Sequence, residues 1–255
     1  MNSEKVYLNK LLCTIKLIGV LIKKEICIMY KTSVPYSAAI VFILGAGLFF
    51  IGSDYWFNAG LSDFRAFFFN MPFLLCIIIP MLTMSLWADE KKQFTDKFLF
   101  SFPVSIRLIV IGKCLSLVCI WFCILVLSTF IPISVFNLGS FGKGAFFISY
   151  LAMFFFGMGI IAVSSALSSF SRHASINFLF SFLTVLFFTF IYSVIQKTLL
   201  PPVLKNIFKY ISFSSHFESA ARGIFDLRDF VFYILLVLFG IELNVFIIYE
   251  QRNAK

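Results

Sequence analysis

After the basic amino-terminal segment, two short stretches of this sequence carry clustered charged residues, and the first comprises residues 214–230. Glu218, Arg222 and Asp226 alternate in sign at a spacing of four residues, which places them on one stripe of a helix. Exposed pairs of this kind contribute roughly a few tenths of a kcal/mol, whereas removing one partner of a desolvated pair costs much more. The stretch therefore indicates either an ion-pair network at a boundary or a solvated structural helix.

Two neighbours of these charges leave alternatives open. His216 is suited either to sensing pH and contacting a bound molecule or to a plain capping and hydrogen-bonding role. Gly223 permits either a close approach of the backbone to a neighbour or a break between two short helices. The same block also contains Phe217, Arg228 and Asp229.

The second charged stretch comprises residues 89–107. It opens with four consecutive charged residues, namely Asp89, Glu90, Lys91 and Lys92. Three phenylalanines then recur on one face of a helix at Phe94, Phe98 and Phe102. Because Pro103 stops a helix, we expect a short helix along the membrane that offers its charged cluster, with Thr95 beside it, to a groove on a partner.

One carboxylate, Glu242, lies inside the last apolar run. An ionisable residue within a membrane span is a functional candidate by default. Asn244 and Gln251 are near it in sequence, but the sequence identifies no partner. The alternatives to contact with a transported molecule are that Glu242 snorkels to the interface or is protonated.

No group of residues has the pattern of a catalytic, nucleotide-binding or metal site. The pairs Gly112–Lys113 and Gly142–Lys143 lack the upstream glycine and the following Ser or Thr of a phosphate-binding loop. A membrane-embedded enzyme would need paired carboxylates, clustered histidines or a Ser/Lys pair, and the spans offer Glu242 alone. The cysteines form no CxxC pair, and the methionines are scattered. We predict no enzyme, no bound cofactor and no metal on this chain.

The elements that must position these residues are membrane helices. With 61% hydrophobic and 13% charged residues and a mean hydropathy of +0.99, the chain has too few polar side chains to cover a soluble globule of 255 residues. The apolar runs are about 20 residues long without alternation, which selects a helical bundle. We predict six spans at residues 34–53, 67–88, 108–130, 145–170, 174–195 and 230–249. Lys113, near the start of the third, can snorkel to the interface, or this run could equally begin at Lys113 and end near Phe136.

Residues 1–33 are interpreted as an interfacial amphipathic helix rather than a signal peptide, with a frayed basic tail as the alternative. Residues 34–255 then form one transmembrane domain. With the amino terminus in the cytoplasm, fourteen of the 21 basic residues lie inside: Lys5, Lys10, Lys16, Lys23, Lys24, Lys31, Lys91, Lys92, Lys97, Arg107, Lys113, Arg172, Arg252 and Lys255. This distribution predicts a multi-pass protein of the cell (cytoplasmic or inner) membrane with both termini cytoplasmic, and it explains the formal charge of +9 without a nucleic-acid partner.

The sequence resembles the ABC-2 type permeases, in particular the branch of the gliding-motility and copper-processing transporters. The resemblance covers the chain from about residue 30 onward, and its most specific part is Ser215-His216-Phe217-Glu218-Ser219, Arg222-Gly223 and Asp226-Leu227-Arg228-Asp229. A second part comprises Asp89 to Lys92, Thr95, Pro103-Val104-Ser105 and Gly112-Lys113. The glycine that the family pattern carries is Phe94 here, and its glutamate falls at Lys97.

The resemblance implies a permease subunit with six membrane helices that is driven by separate ATPase subunits, which would hold the ATP and Mg²⁺. It implies that residues 89–107 form the coupling segment under which these ATPases dock, and that a second permease chain, identical or homologous, completes the pathway. Apart from the resemblance, we hypothesise that residues 196–229 fold as short re-entrant or surface helices that close the outer end of the translocation path, with Glu218, Arg222 and Asp226 as a latch; the alternative is a solvated structural helix that links two spans. The alternative is an ATP-driven component of an envelope or motility machine, or a membrane scaffold, without a transported solute.

Overall fold

The chain folds entirely into helices over the part that the computed structural model describes, residues 2–51, 65–95, 104–135, 143–198, 201–224 and 226–253. No strand occurs in these ranges, which confirms the predicted all-helical class. The helices are α1 (Asn2–Tyr30), α2 (Val34–Ile51), α3 (Arg65–Phe69), α4 (Met71–Thr83), α5 (Ala88–Lys92), α6 (Ile106–Ser128), α7 (Phe130–Val135), α8 (Lys143–Leu167), α9 (Ala174–Ile195), α10 (Pro202–Ile211), α11 (Phe213–Ala221) and α12 (Leu227–Asn253).

Five stretches are long and apolar enough to cross a membrane: Met71–Lys92, Ile106–Ile133, Gly144–Leu167, Ala174–Ile195 and Leu227–Asn253. They correspond to the last five predicted spans. A sixth candidate is the pair Lys16–Tyr30 and Val34–Phe50, two helices that meet at 73°. The described residues thus contain five or six candidate spans, as a multi-pass bundle requires.

The 73° bend is produced by residues 31–35. The backbone N–H groups of Lys31 and Thr32 donate to Ile28 and Met29 at 3.1 and 3.0 Å, which closes the last turn of α1. Pro35 stands in the first turn of α2, where its missing N–H costs nothing. The bend separates α1 from the first predicted span, a geometry compatible with a helix in the headgroup plane; the interfacial position of residues 1–33 stays a prediction.

Aromatic side chains fill the centre of the bundle. Trp121 of α6, Phe156 of α8 and Tyr233 of α12 are fully buried. The ring of Phe156 meets Tyr233 and Phe217 with centroids 5.8 and 5.5 Å apart. Because α8 and α12 pack along their lengths while α4 and α6 flank them, this core fixes where the ends of the spans lie relative to one another.

The outer faces of the bundle are as apolar as its core. Exposed side chains of α9 include Leu179, Leu183, Phe187 and Val194, and those of α12 include Leu235, Leu238, Phe239 and Phe246. A soluble monomer rarely presents apolar surfaces of this extent to water. Lipid is therefore the solvent of these faces.

The polar residues of interest collect at two opposite ends of the bundle. We call the first the Lys91 end; it comprises residues 84–95, 168–173 and 250–253. We call the second the His216 end; it comprises residues 201–224 and 226–229 with the start of α8. Contacts from Lys91 and Gln251 to Ser169 join the first end, and Ser149 Oγ, donating to the Ala220 carbonyl at 2.7 Å, joins the second.

Candidate functional site

A buried lysine organises the Lys91 end. Lys113, on the first half of α6, is only 2% exposed, and its ammonium donates to Glu90 Oε1 at 2.8 Å and to Glu25 Oε2 at 3.2 Å. It also donates to the Leu86 carbonyl at 3.3 Å and lies 4.9 Å from the centroid of the Trp87 ring. The possibility that Lys113 snorkels to the interface is not realised, because two carboxylates enclose its ammonium.

This cluster ties three separate segments together. Glu25 comes from α1, Glu90 from α5 and Lys113 from α6. The other oxygen of Glu25 lies 3.4 Å from Lys24, which is half exposed. Glu90 Oε2 and Trp87 Nε1 are buried with no hydrogen-bond partner among the described residues. Lys113 is therefore the cation that Glu25 and Glu90 share.

The neighbouring Lys91 binds a second set of segments. Its ammonium donates to the Ser169 carbonyl after α8 and, at 2.6 Å, to Gln251 Oε1 near the end of α12. Gln251 Nε2 donates in turn to the same Ser169 carbonyl at 3.0 Å. Glu90 and Lys91 together thus attach α5 to α6, to the segment after α8 and to α12, and Lys113 extends the connection to Glu25 of α1.

The remaining predicted coupling residues divide by exposure. Asp89, Lys92, Phe94 and Thr95 are exposed or nearly so, and we call this group the exposed edge. Glu90 and Lys91 face inward, so the prediction that all four charges point to water was wrong for these two. Phe98, Phe102 and Pro103 lie outside the described residues.

The backbone breaks at Phe94, which contradicts a single helix running from Asp89 to Pro103. Helix α5 ends at Lys92, and Phe94 has a φ of 56°, in the left-handed region that favours glycine. Phe94 therefore does not continue a helical face from Asp89 to Pro103. The glycine of the resembling family's pattern stands at this position, and the positive φ supplies a physical reason for it. The guanidinium of Arg172 lies 5.2 Å from the centroid of the Phe94 ring.

Glu242 has a partner that its sequence neighbours did not suggest. Arg107, at the start of α6, donates to Glu242 Oε2 at 2.9 Å, and the two side chains are 62% and 57% exposed. Asn244 instead points into the bundle and donates to Ser165 Oγ at 3.2 Å. Glu242 is thus an exposed carboxylate that is paired with Arg107.

The predicted stripe at the His216 end is interrupted. Arg222 pairs with Glu218, and both side chains are exposed. Helix α11 ends at Ala221, and Gly223 has a φ of +78°, so Asp226 is not one turn further along the same helix. Asp226 instead accepts the backbone N–H of Arg228 at 3.0 Å, at the start of α12. A three-member stripe on one helix is therefore wrong, because the chain turns at Gly223.

Gly223 combines the two roles that the sequence left open. Its positive φ breaks the chain between α11 and α12, and a β-carbon at this position would lie 3.0 Å from the Cα of Ala145. The backbone at Gly223 therefore lies so close to the start of α8 that a residue with a β-carbon would clash there.

The buried polar group at this end is built on His216 and Asp229. Asp229 Oδ1 lies 2.8 Å from His216 Nδ1, and Asp229 Oδ2 accepts the Ser219 hydroxyl. His216 Nε2 lies 3.1 Å from the Tyr210 carbonyl oxygen, and the ring stacks on Phe232 with centroids 4.0 Å apart. Both ring nitrogens of His216 therefore face oxygen atoms of the protein.

This order of contacts differs from that of a Ser-His-Asp nucleophile. In that arrangement the histidine accepts the serine proton and the carboxylate orients the histidine. Here Ser219 donates to the carboxylate directly, and His216 Nε2 is directed at a backbone carbonyl. The group is suited to holding α10, α11 and α12 together.

The exposed Glu218–Arg222 ion pair and the buried hydrogen bonds of Asp229 predict variants with contrasting stabilities. Arg222→Ala removes an exposed pair, so we expect the free energy of unfolding to change by less than about 1 kcal/mol. Asp229→Asn weakens two buried hydrogen bonds, with an expected loss of about 1.5–3 kcal/mol. Denaturant unfolding of the purified protein in one detergent measures both. Equal losses in the two variants would contradict this ranking.

Several of these contacts were missed from sequence. Glu25 was not singled out, although an acid in α1 and a lysine inside the third apolar run are a recognisable complementary pair. Ser169 contributes through its backbone carbonyl, for which a sequence gives no signal.

Two comparisons bear on the identity of the chain. Residues 64–248 match the profile of the family described as ABC-2 family transporter protein. The match covers more than half of the sequence, from α3 through most of α12. No curated protein matches the chain at a significant level.

Proposed function

Because this chain belongs to the family of ABC-2 transporter proteins and is a membrane permease component of an ABC transporter, we propose that separate ATPase subunits drive it through the exposed edge. The observation that carries this proposal is the difference in exposure between neighbouring charged residues of α5. Asp89 and Lys92 are exposed, whereas Glu90 and Lys91 bind inward to α6, to the segment after α8 and to α12, and Lys113 links Glu90 to Glu25 of α1.

A displacement of the exposed edge is transmitted to the rest of the bundle because Glu90 and Lys91 fix α5 to other segments. A push on Asp89 or Lys92 moves Glu90 and Lys91 with the same short helix, and their partners lie on other segments of the bundle. Buried charge pairs resist separation, since breaking one leaves an unpaired charge in a medium of low dielectric constant. The bundle therefore moves as a unit between states that differ in their contacts with the motor.

The assembly that we propose contains ATP and Mg²⁺ on the motor subunits and a second permease chain, identical or homologous, beside this one. Its permease chains lie in the cell (cytoplasmic or inner) membrane, with the Lys91 end and both termini in the cytoplasm. The excess of Lys and Arg at that end supports this orientation. At the outer end, α10 and α11 would close the pathway, held by His216 and Asp229 as well as by Glu218 and Arg222.

The exposed edge is tested by reversing its charges. We expect Asp89→Lys combined with Lys92→Glu to weaken co-purification of the ATPase subunit at least tenfold, because like charges opposed across an interface are strongly unfavourable. The thermal unfolding midpoint should stay that of the parent, since neither side chain holds the bundle together. Pull-down from membranes and the ATPase rate of the purified complex are the measurements.

The matched control exchanges charges at the opposite end, Glu218→Arg with Arg222→Glu, and should leave ATPase binding unchanged. If the reversed edge still binds the ATPase as the parent does while the complex remains intact, the motor does not dock there. Loss of binding in both double variants would point to a general defect instead.

The finer assignment that we propose is export by the gliding-motility and copper-processing branch. Its support is the block Ser215–Ser219, Arg222-Gly223 and Asp226–Asp229, in which His216, Ser219 and Asp229 form one buried group. The alternative, an envelope or motility machine without a solute, predicts force or assembly phenotypes and an ATPase rate that no added solute stimulates. Reconstituted complexes assayed for ATPase stimulation distinguish the two.

A further inference from the structure

Helix α10 differs from every other long helix of the described chain in having no buried residue. Its apolar side chains fall on one face and are exposed: Val203, Leu204, Ile207, Tyr210 and Ile211. Lys205, Asn206 and Lys209 lie on the other faces. A short amphipathic helix at the end of a membrane bundle places its apolar face at the boundary between headgroups and acyl chains. The polar face of α10 is thereby set at headgroup depth.

A cavity of about 310 Å³ lies against that polar face. Its wall is formed by Asn206, Lys209 and Tyr210 of α10, by residues of α11 and by the first turn of α12, including Arg228. This volume is at the lower end of the range typical of small-molecule sites, roughly 300–1,000 Å³.

The charged side chains that line the cavity differ in how many hydrogen bonds and ion pairs they make within the protein. Both oxygens of Asp229 are occupied, by His216 and Ser219, and Asp226 accepts a backbone N–H of α12. The side chains of Lys209 and Arg228 make no hydrogen bond or ion pair with the described residues. Two cations thus face the cavity with unused donors, whereas each of the two carboxylates accepts at least one hydrogen bond from the protein.

We propose that this cavity binds the phosphate of a glycerophospholipid headgroup in the leaflet at the His216 end, with Lys209 and Arg228 as its ligands. An oxyanion accepts several hydrogen bonds at once, and a guanidinium and an ammonium are the side chains suited to it. The apolar face of α10 holds the cavity at the depth where such phosphates lie. The site is independent of motor docking, which occurs at the opposite end.

The test compares two double variants that remove the same charge. Lys209→Gln with Arg228→Gln changes the cavity, whereas Lys205→Gln with Arg222→Gln removes two cations of the same end that do not line it. Purified protein in a neutral detergent at physiological salt is titrated with short-chain phosphatidylglycerol, short-chain phosphatidylcholine and inorganic phosphate. Thermal shift and native mass spectrometry report binding.

We expect the cavity variant to bind phosphatidylglycerol at least about 100-fold more weakly than the parent, because two hydrogen bonds to a charged group are lost. The control variant should lose no more than about threefold, since diffuse attraction is screened at this salt. Saturation of the parent by inorganic phosphate alone, with the same dependence on Lys209 and Arg228, would support the anion site and reassign its source to a soluble phosphate.

Two results would overturn the proposal. One is an equal loss in both double variants, which would indicate general surface attraction. The other is a parent protein that binds neither phosphatidylglycerol nor phosphate. Because the readout is binding at the His216 end, either result leaves the docking experiment at the Lys91 end to be judged separately.

Discussion

Lys113→Met is expected to reduce the free energy of unfolding by about 3 kcal/mol or more, and to deplete the protein from membranes. The change leaves the Glu90 carboxylate buried without its cation and takes the stronger of two partners from Glu25. Breaking a buried pair by removing one member is costly because the remaining charge is neither hydrated nor compensated. Thermal unfolding in detergent and the quantity of protein in purified membranes measure the effect.

A triple variant separates charge from packing. Glu25→Gln and Glu90→Gln, added to Lys113→Met, remove every charge in the centre of the cluster, and neutral replacement of a buried ion pair is often tolerated. We expect most of the lost stability to return. Arg222→Gln is the control, because its pair with Glu218 is exposed on both sides outside the membrane spans and contributes less than about 1 kcal/mol. A Lys113→Met protein as stable as Arg222→Gln would show that the cluster does not hold α1, α5 and α6 together.

The membrane spans could be predicted from sequence because lipid permits few backbone structures. Every backbone group in the hydrocarbon must be paired within the chain, so an apolar run of sufficient length is a helix whatever its neighbours are. The last five predicted spans accordingly agree with the described helices. The first lies behind a bend of 73°, which Pro35 indicates only in part, since a proline in a first turn is also found in helices that begin without any bend.

The side-chain partners could not be predicted in the same way. Glu25 and Lys113 are 88 residues apart, and Arg107 and Glu242 are 135 apart, so their meeting depends on how whole helices pack. Spacing of four residues correctly predicted Glu218–Arg222, because that contact is local to one helix. The extension to Asp226 was wrong because one residue, Gly223, turns the chain out of the helix. Local rules thus succeed within an element and stop at its ends.

The close packing of α8 against α12 predicts a second large loss of stability, in the variant Gly240→Val. A β-carbon on Gly240 would lie 2.6 Å from the carbonyl carbon and 2.8 Å from the backbone nitrogen of the adjoining residues Ala162 and Val163. Backbone atoms cannot rotate away as a side chain does, so the two helices must separate. We expect a loss of about 3 kcal/mol or more, the upper part of the range for overpacked cores, measured as a lower unfolding midpoint in detergent.

Controls on the same pair of helices make the cause identifiable. A β-carbon on Gly144 of α8 meets nothing within 4 Å, so Gly144→Ala should be neutral or stabilising, by about 0.4–1 kcal/mol, through the helix preference of alanine. Ala162→Gly should recover only part of the stability that Gly240→Ala loses, because it removes the 2.7 Å contact with the Ala162 β-carbon and leaves the backbone contacts in place. Full recovery would mean that side chains alone set the distance, and an unaffected Gly240→Val protein would mean that α8 and α12 do not approach this closely. Partial recovery would identify backbone contact as the constraint that sets the distance between α8 and α12. That distance keeps Asn244 within hydrogen-bond reach of Ser165 and Gln251 within reach of Ser169. Since Gln251 also binds Lys91, the same distance supports the attachment of α5 to the bundle.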